Sequence, residues 1–106
     1  MLTKTQITGI KTDLDKDSEN LALIFQALGD GGRLKIFKLL MAHHDLCVTD
    51  VANVFDMTVS AASQQLRVLE RLGLVEKMRM GQMVCYELKK DNPTVKKLIQ
   101  FLRSSD

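Results

Sequence analysis

Apolar residues recur at helical spacing in five stretches of the chain and alternate in one. Leu21, Ile24, Phe25 and Leu28 fall on one helical face, and Ser18 is placed to cap that helix. The first 17 residues carry no clear period and read as a flexible N-terminal arm or a frayed helix, which leaves 18–106 as the folded domain. Gly29-Asp30-Gly31-Gly32 is a break. Asp30 can cap a second helix that partly buries Leu34, Ile36, Phe37, Leu40 and Met41, and His43-His44-Asp45 ends it. Leu46-Cys47-Val48 is a minimal strand or a bridge. Thr49 or Asp50 then leads a short helix through Val51, Ala52, Val54 and Phe55. The turn Asp56-Met57-Thr58 joins it to another helix, whose apolar positions are Val59, Ala62, Leu66 and Leu69. Leu74 to Met80 and Met83 to Leu88 read as a hairpin around Gly81-Gln82. Val84, Tyr86 and Leu88 alternate towards the core, while Glu87 and Lys89 point away. Pro93 suits the first turn of a last helix with Val95, Leu98, Ile99 and Leu102 in a stripe.

The fold class is therefore mainly α with a small β-hairpin. Two short helices joined by a turn, with a hairpin beside them, make a winged helix-turn-helix. At 106 residues the chain is one domain with little burial to spare. Its terminal helices carry more apolar surface than so small a core can cover. That predicts a homodimer with first and last helices packed across a two-fold axis. No apolar run approaches the ~20 residues of a membrane span, and no membrane partner is expected. The N-terminus lacks a hydrophobic signal core, so the expected location is the cytoplasm, where Cys47 and Cys85 would be reduced thiols.

Charge sharpens this picture through its distribution. The net charge is only +2, but Met57 to Lys90 holds six bases against three acids. Positive charge thus concentrates on the helix and hairpin that would meet a phosphate backbone. A helix in the major groove presents its N-terminal residues to base edges. Here these are Thr58, Ser60, Ala61, Ser63 and Gln64, with Val59 a further candidate if exposed. Gln64 can make a bidentate contact to adenine, and Ala61 or Val59 can meet a thymine methyl. Arg67 is better placed for phosphates, and the hairpin adds Lys77, Arg79 and Gln82. The bland alternative is an amphipathic core helix with a solvated basic face. No enzymatic constellation accompanies these residues: the two His are adjacent with no third group to orient them, and GDGG lacks the strand context of a phosphate loop.

Three segments carry a family resemblance: ALGDxxRLxI at Ala27 to Ile36, SAASQQLRVLxxxGLV at Ser60 to Val75, and GQxVxYxL at Gly81 to Leu88. Together they make the chain resemble the ArsR/SmtB family of winged-helix repressors over roughly Asn20 to Lys90. The resemblance implies a homodimeric repressor that binds double-stranded operator DNA and releases it when an inducer binds. The inducer it implies is a metal ion, arsenite, an oxidant or a sulfur species. Gln65 departs from the family, which often has His there, and Val59 stands where a polar residue is frequent.

DLCVTD is similar to the family's ELCVCD metal-binding segment, but only Cys47 matches; Thr49 replaces the second thiolate and is a poor soft-metal ligand. The last helix has no His for the family's other metal site. If Leu46-Cys47-Val48 pairs with the strand around Cys85, the parities place Cys47 and Cys85 on one face. That makes them a candidate thiol pair that oxidises, takes up sulfane sulfur, or clamps a soft metal ion with His43 or His44. Two small packing residues are the alternative reading. No cofactor is required. The competing functions are a protein-interaction winged helix and a DNA-binding regulator with no inducer.

Overall fold

The computed structural model describes residues 1–104, the side chains of 16–19 excepted. Its elements run α1 (Lys4–Leu28), α2 (Gly31–Ala42), β1 (Leu46–Cys47), α3 (Val48–Val54), α4 (Val59–Arg71), β2 (Val75–Met80), β3 (Met83–Leu88) and α5 (Pro93–Ser104). The mainly helical fold with a hairpin matches the expectation, and β1 completes an antiparallel three-stranded sheet in the order β1-β3-β2. No helix is long and apolar enough to cross a membrane among the described residues.

Of the two readings of the N-terminal segment, the structure has the helix. The helix begins at Lys4, not at Ser18, whose side chain lies outside the described residues. Thr3 and Gln6 explain this. Gln6 N–H donates to Thr3 Oγ1 across 3.1 Å and Thr3 N–H donates to Gln6 Oε1 across 2.9 Å, which satisfies two of the donors a helix start leaves open. The signal was present in the sequence: Ile7, Ile10 and Leu14 stand at helical spacing ahead of Leu21, Ile24 and Leu28. All of the first three are exposed in the single chain.

Asp30 caps α2 as expected, accepting from Arg33 N–H. The short helix starts at Val48, ahead of Thr49 and Asp50, because Asp50 Oδ2 reaches back to the Cys47 N–H (2.9 Å). At the end of α4, Gly73 adopts φ 75°, and the N–H groups of Gly73 and Leu74 return to the carbonyls of Glu70 and Leu69. This closing turn needs a left-handed residue, which glycine supplies at no steric cost. Asn92 then anchors α5 from both ends of its amide: Nδ2 donates to Gly73 O and Oδ1 accepts from Thr94 N–H, each across 2.9 Å.

One core joins all the helices to the sheet. Ile24, Ile36, Phe37, Leu40, Val51, Ala62, Leu66, Leu69, Tyr86, Leu88 and Val95 are its buried members. Val59 is not among them; it is half exposed, while Ala62, Leu66 and Leu69 are fully covered. The terminal helices each split between two faces. Ile24, Ala27 and Leu28 of α1 and Val95 of α5 turn inward. Leu21 (40% exposed), Phe25 (63%) and Phe101 (65%) turn outward and, with Leu98, line an open apolar depression between the two helices.

Candidate nucleic-acid interface

The interface is built by α4 and the β2–β3 wing. Thr58 precedes α4 in an extended conformation, and its Oγ1 accepts from the Ala61 N–H across 3.0 Å. The residue expected to read DNA is thus first a helix cap; its hydroxyl proton remains to donate outward. Beyond it Ser60, Gln64 and Arg67 are exposed, while Ala61 and Ser63 are half-buried. Val59, half exposed at the first position of α4, presents more methyl surface than Ala61.

In the wing, Lys77 stands opposite Tyr86 and Arg79 opposite Val84. Opposed residues in an antiparallel pair share a face, so both cations lie on the side of Tyr86. Lys77, Arg79 and Gln82 are all exposed. Gly81, at φ 66°, makes the two-residue tip with Gln82. A cavity of about 310 Å³ opens between α4 and the wing, lined by Ser63 and Arg67 from the helix and by Lys77, Gln82 and Tyr86 from the hairpin. The structure therefore gathers four of the expected DNA contacts around one concavity. Tyr86 was expected only as core. Burial, reinforced by the charge of Glu70 and partly opposed by Arg67, raises its hydroxyl above the ordinary tyrosine value, so it stays neutral at this positively charged surface.

Arg33 enters the sequence reading only as part of the Ala27 to Ile36 segment, with no role given to it. Its Nε donates to Ala27 O across 2.8 Å and its Nη1 to Gln65 Oε1 across 3.2 Å. It thereby links the end of α1 to the middle of α4. Gln65, conspicuous in sequence only as a departure from a family pattern, faces inward to this link.

The opposite face of the sheet carries the sulfur atoms. Cys47 and Cys85 are register partners across β1 and β3, as the parity argument anticipated, and a disulfide joins them. Cys85 is fully buried and Cys47 partly so. Met78 stands opposite Cys85 on the other side of β3. Two residues along the strands, on the same face, Glu76 is opposite Glu87. Burial, a hydrogen bond with Glu76 and the charge of Asp45 hold the Glu87 carboxyl above its ordinary value. His43 and His44 do not join the sulfur pair: among the described residues no three His, Cys, Asp or Glu side chains gather into a group that could hold a metal ion. His44 Nδ1 instead accepts from Lys90 Nζ across 3.3 Å. The two histidines thus stand apart from the sulfur pair, whose atoms are joined to each other.

Known proteins place this architecture. The bacterial regulatory protein arsR family matches residues 30–77. A cadmium resistance transcriptional regulatory protein CadC homolog from Staphylococcus aureus is 36% identical over 96 residues, covering 90% of this chain and 78% of its own length. Reduced HlyU from Vibrio cholerae superposes with a TM-score of 0.74 at 30% identity, over 86% of this chain and 93% of that one. A homodimeric winged helix-turn-helix DNA-binding domain from Mycobacterium bovis gives a TM-score of 0.69 at 26% identity, over 97% of this chain and 87% of its own. The chain belongs to the ArsR family of bacterial regulatory proteins and is a winged helix-turn-helix transcriptional regulator, not an enzyme.

Proposed function

We propose that the protein is a cytoplasmic homodimeric repressor that binds operator DNA through α4 and the wing and releases it when the Cys47–Cys85 pair changes oxidation state. The observation that carries the DNA-binding reading is the convergence of Ser63, Arg67, Lys77 and Gln82, from two separate elements, on one concave surface. Ser60, Gln64 and Val59 extend that surface along the exposed start of α4, within reach of base edges in a major groove. Thr58, Ala61 and Arg79 complete the contact set. Dimerisation is supported by Leu21, Phe25 and Phe101, exposed together on the terminal helices, and by the homodimeric Mycobacterium bovis relative.

The regulatory reading rests on two sulfurs in register within a sheet that forms the wing itself. Opening or closing the bond changes the tie between β1, which leads into α3, and β3. A relative solved in a form specified as reduced is consistent with this chemistry. A soft metal ion as inducer would use the same two sulfurs in their thiol state, and the CadC homolog favours including it in the test.

The experiment is selection of genomic fragments bound by the protein, followed by anisotropy titration of the recovered duplex with oxidised, reduced and Cd²⁺-treated protein. Salt-sensitive binding that weakens in one of these states supports the proposal. Binding unaffected by all three points to a constitutive regulator, and no duplex binding at any salt concentration to a protein-interaction module.

A further inference from the structure

The sheet face opposite the one that carries Tyr86 and Lys77 is a sulfur ladder, and two of its members, Cys47 and Met83, also border the cavity between α4 and the wing. Cys47, Cys85 and Met78 occupy one row across all three strands, since Cys47 opposes Cys85 and Met78 opposes Cys85. Directly opposed residues place their Cβ atoms about 4.5–5.5 Å apart on the same face. Met80 and Met83, themselves register partners, continue the same face to the wing tip and are each about half exposed. No other segment of the chain concentrates sulfur in this way: five of its eight Cys and Met residues lie on this one small face.

We infer that the reduced protein holds one soft monovalent cation, Cu(I) or its analogue Ag(I), between the thiolates of Cys47 and Cys85 and the thioether of Met78. This rests on the reading of Cys47 and Cys85 as the regulatory pair and names the ligand that pair takes. Thiolate and thioether donors together select Cu(I); zinc favours four tetrahedral ligands without a thioether, whereas this row offers two thiolates and one thioether. Cys85 is buried and Met78 and Cys47 are partly covered, so the row is shielded from water yet open at Cys47. The next row, Glu76, Glu87 and the nearby Asp45, adds negative charge that draws a cation towards it.

The disulfide closes this site and reduction opens it. A dithiol reductant gives two electrons and two protons to the Cys47–Cys85 bond, becoming a disulfide itself and leaving two thiols. Cu(I) then displaces both thiol protons to solvent and keeps its oxidation state. Oxidation and metal loading thus exclude one another, and either moves strands of the wing.

The test is anaerobic titration of reduced full-length protein with Cu(I) buffered by a chromogenic chelator, with X-ray absorption of the loaded protein. One Cu(I) per chain in an all-sulfur shell of three donors is expected, and oxidised protein should leave the chelator complex intact. Cys47→Ser and Cys85→Ser should abolish competition. Met78→Leu conserves volume and keeps both cysteines, so it should fold; it should bind at least about tenfold more weakly, with one sulfur fewer in the shell. Wild-type affinity in Met78→Leu, nitrogen donors in the shell, or equal binding by oxidised protein would overturn the inference. A parallel measurement of duplex affinity for metal-free oxidised and reduced protein judges the regulatory reading separately. If those two forms differ while Met78→Leu binds Cu(I) normally, only the site falls. If they do not differ and Cu(I) has no effect on affinity, the regulatory reading falls even where the metal binds as described.

Discussion

Arg33 Nη1 donates to Gln65 Oε1 across 3.2 Å, and the same guanidinium holds Ala27 O through Nε. One side chain thereby fixes the position of α4 relative to α1. Gln65→Ala leaves the Arg33 donor to water in a partly buried place. We expect a loss of about 1 kcal/mol in urea unfolding, and coupling of similar size in a double-mutant cycle with Arg33→Ala. Duplex affinity should also fall while the salt slope is unchanged, because Gln65 meets no phosphate.

Arg67 and Lys77 stand on opposite walls of the cavity between α4 and the wing. Each replaced by Ala should lower the slope of log affinity against log salt by about 1 and weaken all duplexes alike. Gln64→Ala should instead preserve the slope and lose about 1–3 kcal/mol of discrimination at one base pair. Anisotropy at several salt concentrations, with selected and scrambled duplexes, separates the two behaviours.

Phe25 and Phe101 are 63% and 65% exposed in the single chain and lie on the same depression. Phe101→Glu or Phe25→Glu costs the monomer little, since neither side chain is in its core. Sedimentation equilibrium should show a dimer for wild type and a monomer for either variant, with unchanged far-ultraviolet circular dichroism. A wild type that stays monomeric at micromolar concentration would remove the dimer.

Glu87 has its carboxyl held above the ordinary value, first by burial and then by Glu76 and Asp45. Its proton is therefore held more tightly in the folded than in the unfolded chain. The stabilisation this gives is fully present below the unfolded carboxylate value and is lost as pH rises through the higher folded value. Glu87→Gln should accordingly melt at a higher temperature than wild type at pH 7. The gap should close as the pH is lowered to 4, and thermal melts across that range check both the sign and the window.

Much of the interface was legible in the chain. The 3.6-residue period of Ala62, Leu66 and Leu69 and the alternation of Val84, Tyr86 and Leu88 are local consequences of burying one face, and the hairpin tip at Gly81-Gln82 follows from its turn chemistry. Asp30 as a cap is equally local. The start of α1 was encoded too, in Thr3, Gln6 and the Ile7-Ile10-Leu14 spacing, but that segment has no core to face within one chain and so no burial to make it stand out. Val59 misled because an apolar residue in phase with a core stripe need not be long enough, or placed deep enough, to reach the core.

Sequence alone determined the order of elements, the positive charge on α4 and the wing, and the alternation within each strand that puts Val84, Tyr86 and Leu88 on one side and Cys85 on the other, because each depends on neighbours a few residues apart. Tertiary structure alone decided that β1 pairs with β3, that Cys85 has Cys47 on one flank and Met78 on the other, and that Arg33 reaches Gln65. Those contacts join residues far apart along the chain, and their register is set by how the whole core packs, which no local period contains.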